Sequence, residues 1–394
     1  MPTSGPPAIF PGISGAPFPQ ISSATSYQFG SESVQLRPSL MRRTLHSTIP
    51  FFGLAVVLAL TEASVAQVPE ANHAIEKSLR YLETRAVAWM QEKKCASCHH
   101  VPMMIWAHRE ARDRGFAINE QVLTEVTQWM LDADKSVIHP TPNREESAAA
   151  NQHLTSAYVL LALAAGENRQ DVSPESLKPI FAFVLGKQLP DGSWPPPFKN
   201  PPNPALPPVT PDQHIASLLI ASSLAVWESH GVAPENVKAS RAKFSEWFAV
   251  QPPENDPLFP ALRLILNAHL KQLDEDASRQ IAWLRDHQNK DGGWSQLIDS
   301  PSDAFATGRA LYAISMAGIK SDDPMVQRSR AYLLSTQNDD GTWTMASRPR
   351  ITDGKWSDNL EPITSAGTAW ATLGLLRSTT SQGDPTAQTV PTAK

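Results

Sequence analysis

Gln288-Asn-Lys-Asp-Gly-Gly-Trp294 is the stretch that decides the fold of this 394-residue chain, because its outline recurs. The pattern Gln-x-x-x-Gly-x-Trp, with Asp before the first glycine, returns as 188–194 and 337–343. Each copy ends an amphipathic segment, and Asp-Gly at a helix end is a turn signal because glycine accepts the left-handed backbone that closes the last turn. A loop and then a nearly uncharged segment rich in Ala, Leu, Ser and Gly follow each copy, with Arg309 as the exception. Two kinds of helix therefore alternate.

The alternation predicts an all-α ring. Helices of the first kind carry one apolar stripe, which is typical of a half-exposed helix, whereas helices of the second kind are apolar nearly all round and must be surrounded by protein. Six pairs can be counted: 70–91 with 101–114, 119–133 with 148–165, 173–188 with 210–229, 234–249 with 258–272, 274–288 with 302–317, and 323–337 with 361–377. Six antiparallel helical hairpins with apolar inner members predict a closed (α/α)6 toroid. An open solenoid is the alternative, and the lack of polar capping repeats favours closure.

The two cysteines of the chain, Cys95 and Cys98, form Cys-Ala-Ser-Cys-His with His99. C-x-x-C-H is the attachment sequence of c-type haem, in which each thiol adds to a vinyl group and the following histidine becomes the proximal iron ligand. The alternatives are a disulfide, a redox dithiol or half of a zinc site. No second Cys/His pair completes four zinc ligands, and no βαβ pattern surrounds the motif. The sequence therefore predicts one covalent haem c, attached at Cys95 and Cys98, with His99 as the iron ligand.

The N-terminal region predicts export. Met-Arg-Arg from Met41 precedes an uncharged apolar run over 49–60, and Ser-Val-Ala66 offers small residues to signal peptidase. We expect a signal peptide over 41–66, preceded by a disordered leader over 1–40 that reflects a start assigned too early. The apolar run is too short to span a bilayer comfortably, so we expect no transmembrane anchor after cleavage. Because haem is attached outside the cytoplasm, the motif and the signal together predict a periplasmic or otherwise exported protein.

The composition limits the possible partners and marks the end of the folded region. The chain has 34 Lys and Arg against 39 Asp and Glu, a net charge of −5, which argues against nucleic acid as a partner because nucleic-acid-binding proteins carry a basic stripe. Residues 378–394 turn to Thr, Ser, Gln, Pro and Gly and predict a disordered tail. The predicted toroid then spans 67–377.

The repeated elements resemble the QW motifs of the squalene–hopene cyclase and prenyltransferase β-subunit superfamily, over most of residues 70–377. The resemblance implies an α/α toroid in which each Gln is held near the next helix end and packs against the Trp. It therefore implies that the three copies are structural braces that tie outer helices together. It also implies a small apolar or lipid-like ligand as a partner.

The chemistry of that superfamily is largely missing. The cyclases protonate a double bond with an Asp-x-Asp-Asp cluster at the start of an inner helix, and the corresponding place here keeps Asp303 alone. A lone carboxyl lacks the partners that would make it a strong acid, so we expect no terpenoid cyclisation. The zinc cysteine of the protein prenyltransferases has no counterpart outside the haem motif. Asp303 and Asp212 remain as candidate catalytic residues.

The haem motif replaces the turn of the first hairpin, since Gln91-x-x-x-Cys95 stands where the other copies have Gln-x-x-x-Gly. In a toroid these turns share one rim with the N-termini of the inner helices, which predicts the haem at that rim. Polar residues near the inner-helix starts are candidates for pocket lining, although each is equally a candidate helix cap. They are Asn151, His153, Asp212, His214, Asp303, Glu361 and Thr364.

The distal side of the iron has four candidate ligands. Met103 and Met104 follow His99 closely, and Met is a common distal ligand, but the short tether favours packing against the porphyrin edge. His153 and His214 are better placed if the haem lies at the rim. Without a protein ligand, the iron would be open to a small substrate.

Three functions stay open at the level of the sequence. The first is an exported c-type haem protein with a periplasmic redox partner, which transfers electrons or carries out haem-dependent oxidoreductase chemistry. The second is a terpenoid cyclase or prenyltransferase-like enzyme. The third is a non-catalytic binding toroid in which Cys95 and Cys98 form a disulfide.

Overall fold

Twelve α-helices account for the regular structure of the part of the chain that the structure describes. The structure is a computed structural model that describes residues 52–93, 96–97, 99–132, 152–197, 212–251, 257–346 and 360–379, with the backbone alone for 52–68 and 152. In chain order the helices are α1 (Phe52–Lys93), α2 (Val101–Asp113), α3 (Glu120–Leu131), α4 (Gln152–Ala164), α5 (Pro174–Gly186), α6 (Gln213–Ser229), α7 (Glu235–Ala249), α8 (Phe259–Leu270), α9 (Glu275–Asp286), α10 (Ala304–Met316), α11 (Pro324–Thr336) and α12 (Glu361–Ser378). An isolated bridge between Gln337 and Trp343 is the one β-type pairing among these residues.

The even-numbered helices form a closed inner ring. Helix α2 contacts α4, α4 contacts α6, and the series continues through α8 and α10 to α12, which contacts α2 again. Each odd-numbered helix from α3 to α11 packs against the even-numbered helix that precedes it, and α1 contacts α2, α11 and α12, where the first and last hairpins meet. The predicted (α/α)6 toroid is therefore confirmed, and an open solenoid is excluded because the first and last hairpins touch.

Burial separates the two layers as the sequence pattern requires. Every residue of α6 from Ile215 to Trp227 is buried, whereas α9 buries only Ala277 and Leu284. Apolar surface gains about 25 cal/mol for each Å² removed from water, so a helix that is apolar all round is stable only when enclosed. The inner ring is enclosed by the six outer helices.

The predicted helix bounds agree with the structure to within a few residues, except at α1. That helix begins at Phe52, well before the predicted start at residue 70, and contains Pro69 in its interior. Its first part therefore covers much of the predicted signal peptide, and cleavage after Ala66 stays a prediction. The predicted leader (1–40) and most of the predicted tail lie outside the described residues. None of the described helices is long and apolar enough to cross a membrane.

The Gln-x-x-x-Gly-x-Trp motif ties each outer helix that carries it to the following outer helix. Gln288 Nε2 donates to Gly292 O (2.8 Å) and to Met325 O (2.9 Å) at the start of α11. Trp294 Nε1 donates to Leu284 O (2.8 Å), a carbonyl near the end of α9 that has no partner within its own helix. The other two motifs make the equivalent bonds: Gln188 to Gly192 and Ser240, Trp194 to Val184, Gln337 to Gly341 and Ala74, and Trp343 to Leu333. The last pair joins α11 to α1 and so closes the outer layer, as the resemblance implies.

The inner ring has its closest helix contact between α10 and α12. A Cβ atom on Gly308 would lie 2.3 Å from the Trp370 carbonyl carbon, and one on Gly374 would lie 2.6 Å from Gly308 O. Glycine at both positions lets the two backbones touch, which leaves the indole of Trp370 against Trp106 on α2 (5.4 Å between ring centroids).

Candidate functional site

The connection between α1 and α2 carries the predicted haem motif. Cys95 and Cys98 lie outside the described residues, whereas Ala96, Ser97 and His99 are described. Ser97 has φ +57°, the left-handed conformation that a non-glycine residue rarely adopts, so the chain turns sharply inside the motif. His100 then precedes the first residue of α2 and is its N-cap.

His100 anchors this connection to the last inner helix. Its imidazole is buried and stacks on Trp89 of α1, with ring centroids 3.9 Å apart and an interplanar angle of 11°. Its Nε2 lies 2.6 Å from Glu361 Oε1 in the first turn of α12, and Arg85 Nε donates to the same oxygen at 3.1 Å. Burial would raise the pKa of Glu361, but His100 and Arg85 outweigh it and lower that pKa to about 2. Glu361 is therefore an ionised carboxylate shared by two helices and the turn.

His99 is held in a different way. The ring is half-buried, and its Nδ1 lies 2.8 Å from Ser97 Oγ and 2.6 Å from His100 Nδ1. Trp89 meets it edge-on at 5.8 Å. Desolvation, with the adjacent His100, lowers the pKa of His99 to about 3, so the ring is neutral at pH 7. These partners all belong to the first hairpin, unlike the Glu361 partner of His100.

The described residues around the motif fit a covalent haem. Trp89 Nε1 is buried and has no hydrogen-bond acceptor within the described part of the chain, and a buried N–H without a partner is costly. A haem propionate would supply such an acceptor beside the motif. His99, in the position after the second cysteine, is a neutral imidazole, the form that ligates iron.

The four candidate distal ligands have varied surroundings. Met103 and Met104 are fully buried in the first turn of α2, within the core. His153 is buried on α4 and its Nε2 donates to Pro195 O at 2.9 Å. His214 on α6 stacks on Trp247 at 5.2 Å, and its Nε2 lies 3.3 Å from Gln251 Oε1. Ligation of iron by either histidine would therefore require that ring to leave these partners.

Both candidate catalytic aspartates are helix N-caps. Asp212 Oδ1 accepts from the Ile215 backbone N–H at 2.8 Å, and Asp303 Oδ1 accepts from that of Ala306 at 2.9 Å. Burial raises the pKa of Asp303, and hydrogen bonds from Ala306 and Gln296 oppose that rise. Of the other candidates for pocket lining, Glu361 and Thr364 lie in the first turn of α12, and Asn151 lies outside the described residues.

A cavity of about 420 Å³ lies at the opposite end of the barrel, where all six inner helices end. None of the described residues that the sequence predicted for a pocket lines this cavity. Its polar lining includes Glu110 and Arg114 of α2, His269 of α8, and Arg377 of α12. The sequence prediction missed these residues, although each stands within two turns of the end of an inner helix. A search for polar residues at that shared position would have found them.

The comparisons with known proteins bear on the scaffold. Residues 246–336 match the family model of the squalene–hopene cyclase N-terminal domain, and residues 303–391 match that of the C-terminal domain. Together the matches cover less than half of the chain. No curated protein matches the sequence.

Solved structures similar to the chain include a type II terpene cyclase from Scytonema in complex with geranylgeranyl dihydroxybenzoate. It is 16% identical, with a TM-score of 0.49, and the match covers 79% of this chain and 98% of that one. A possible member of the GH105 family from Salmonella enterica is 14% identical, with a TM-score of 0.45, and the match covers 76% of this chain and 93% of that one. The family-model matches and the toroid together give a scaffold of the squalene–hopene cyclase type. The haem motif lies outside both matched ranges.

Proposed function

We propose that this protein is an exported c-type haem protein built on a terpenoid-cyclase-like toroid. Its function would be redox: electron transfer, or haem-dependent oxidoreductase chemistry, with a periplasmic redox partner. The observation that carries the proposal is that the sequence Cys95-Ala-Ser-Cys98-His99 connects α1 to α2, while the buried N–H of Trp89 on α1 has no acceptor among the described residues.

Different residues of the first hairpin would attach the haem and ligate its iron. Cys95 and Cys98 would form the two thioethers, and His99 would be the proximal ligand. Such a haem supplies one-electron transfer, and it supplies substrate chemistry when an iron position is open. Trp89 and Glu361 fix His100, which places the neighbouring His99 relative to the inner ring.

Covalent attachment can be tested directly. The full-length protein would be produced with a haem c maturation system and exported, and the purified chain analysed by mass spectrometry and by a reduced-minus-oxidised visible spectrum. We expect one porphyrin added per chain and sharp α and β bands that survive acid–acetone extraction. Cys98→Ala should lower covalent haem, whereas Ser97→Ala, a matched change inside the motif, should retain it. Wild-type protein without added porphyrin mass would overturn the proposal, and a Cys95–Cys98 disulfide in its place would support the binding toroid.

The spin state of the iron would separate the two redox functions. A low-spin spectrum would support electron transfer, since it indicates a sixth ligand. A low-spin spectrum that His153→Ala or His214→Ala converts to high spin would identify the distal ligand. A high-spin wild-type spectrum would support an open position and oxidoreductase chemistry.

A second candidate function is a terpenoid cyclase, because the cyclase family models match residues 246–391. Asp303 lies in that range with a raised pKa, as an acid would need. The carboxyl is also the N-cap of α10 and accepts from Gln296 Nε2 at 3.1 Å, which uses both of its oxygens. We therefore expect no turnover when the protein is incubated with squalene. Turnover that Asp303→Asn abolishes would establish the cyclase function instead.

A further inference from the structure

The cavity at the C-terminal ends of the inner helices has a mixed wall. One side is apolar and includes Trp106, Leu161, Val226 and Met316. Tyr312 lies beside them, and its hydroxyl donates to Glu110 Oε1 at 3.2 Å. Ligand pockets combine an apolar wall with a few convergent polar groups, and the volume of about 420 Å³ suits a small organic molecule.

The polar part of the wall has one more cationic side chain than it has carboxylates. Four cationic side chains line the cavity: Arg114, Arg169, Lys271 and Arg377. Three carboxylates face them, but two of these already have cationic partners. Glu110 pairs with Arg377 and, at 3.8 Å, with Arg114, and Asp113 lies 3.7 Å from Arg112 outside the lining. The third carboxylate, Glu167, is exposed.

Two imidazoles, those of His230 and His269, also belong to this wall. The Nε2 atoms of His230 and His269 are buried, and neither has a hydrogen-bond partner among the described residues. Burial lowers the pKa of His269 to about 3, with Arg377 and His230 acting in the same direction. Burial also lowers the pKa of His230, with Arg169 and Lys271 adding to the effect and a hydrogen bond to the Ala164 backbone carbonyl opposing it. Since Nε2 has no partner, Nδ1 donates that bond, and the Nε2 of the neutral ring is an acceptor. The lining has four cationic side chains and three carboxylates, so cations are in excess around these rings.

A structural explanation covers the arginines, and it covers His230 through its bond to Ala164, but it leaves His269 unexplained. Six helices end at this rim with carbonyl groups that have no partner within the helix, and basic side chains near helix C-termini stabilise them. A neutral imidazole adds little to that stabilisation. A buried Nε2 without a partner destabilises the fold, and a hydrogen-bonding ligand would remove that cost.

The geometry points to a binding site for a small organic carboxylate with an apolar body. Its carboxylate would accept from His269 Nε2 and from Arg377, whose buried Nε has no partner among the described residues, and its body would lie on Trp106, Leu161 and Met316. The site is independent of the proposed haem, which belongs to the other end of the barrel, so neither proposal depends on the other.

The test uses two probes of matched shape and opposite charge. Hexanoate and hexylamine would be titrated by calorimetry at pH 7 into the matured full-length protein. We expect saturable millimolar or tighter binding of hexanoate and none of hexylamine. His269→Leu should weaken hexanoate binding about tenfold, because it removes a hydrogen bond to a charged group.

His287→Leu is the matched control, because His287 is exposed and stacks on Trp283 of α9, away from the cavity. It should bind hexanoate as the wild-type protein does. Absence of saturable hexanoate binding would overturn the inference, and so would hexylamine binding at equal strength. The wild-type comparison of the two probes needs no variant, so it decides even if a histidine variant fails to fold. Equal weakening in His269→Leu and His287→Leu would also overturn it.

Discussion

Gly292→Ala tests whether the repeated motif braces the outer helices. Gly292 has φ +91°, and a Cβ atom added there would lie 2.5 Å from Arg328 O and 2.8 Å from the Arg328 carbonyl carbon. Both atoms belong to the backbone of α11, so a side-chain rotation cannot relieve the contact. The substitution must therefore move α11 away from the turn that follows α9, or distort that turn.

The expected cost has two parts. An alanine in the left-handed region costs about 1–2 kcal/mol relative to glycine. Overpacking against a rigid backbone adds about 1–3 kcal/mol. We therefore expect Gly292→Ala to lower the free energy of unfolding by about 2–5 kcal/mol, a large share of the stability of a typical domain.

Comparison with Gly318→Ala isolates the contribution of the packing clash to the loss of stability. Gly318 follows α10 with φ +83°, but an added Cβ would meet no atom within 4 Å. It carries the same backbone cost, and the same loss of unfolded-state entropy, without the clash. Equilibrium urea unfolding of the wild type and both variants would give the difference, with unchanged m-values as the check on two-state behaviour. If the two variants lose equal stability, the close approach of the helices contributes nothing and the brace explanation is wrong.

Three further substitutions test packing and charge at other positions. Gly308→Ala should destabilise the protein by several kcal/mol, because the new Cβ would lie 2.3 Å from the Trp370 carbonyl carbon. Gly186→Ala should instead stabilise it by about 0.5–1 kcal/mol, because a Cβ there would meet no atom within 4 Å. Thermal unfolding should show opposite shifts for the two variants. Burial would raise the pKa of Asp276, but hydrogen bonds from Asn267 and Arg263 lower it to about 2. The pKa falls on folding, so this carboxylate contributes about 2 kcal/mol above pH 4–5 and loses that contribution as the pH falls towards 2. Asp276→Asn should therefore destabilise the protein at pH 7 and make no difference at pH 2, as urea unfolding at both pH values would show.

The fold could be predicted almost completely from local patterns. The alternation of striped and fully apolar helices gave the two layers, and three copies of one turn motif gave the spacing of the hairpins. The bonds of Gln288 and Trp294 explain why this works, since each motif satisfies helix-end groups that would otherwise lack partners. Residues 52–69 escaped prediction because their apolar run matches a signal peptide as well as a helix, and periodicity cannot separate the two.

The cavity could not be predicted in the same way. Arg114 and Arg377 each stand at the end of a helix, where a basic residue needs no further explanation. Their convergence on Glu110 depends on ring closure, which brings α2 and α12 together across most of the chain length. His230 and His269 likewise read as isolated histidines in the sequence. Only the closed ring places both at the same rim.

The first hairpin shows what happens when the brace is replaced. In the other motifs the Trp indole N–H bonds the end of its own outer helix, and the Gln bonds the next outer helix. Trp89 instead lies within α1 and stacks on His100, and the turn is bonded to the inner helix α12 through Glu361. The turn of the first hairpin is therefore bonded to the inner layer, whereas the other motifs bond their turns to the outer layer. His100 makes the bond to α12. Among the described contacts, the adjacent His99 is bonded only within the first hairpin, so its use as an iron ligand would break no hydrogen bond between hairpins.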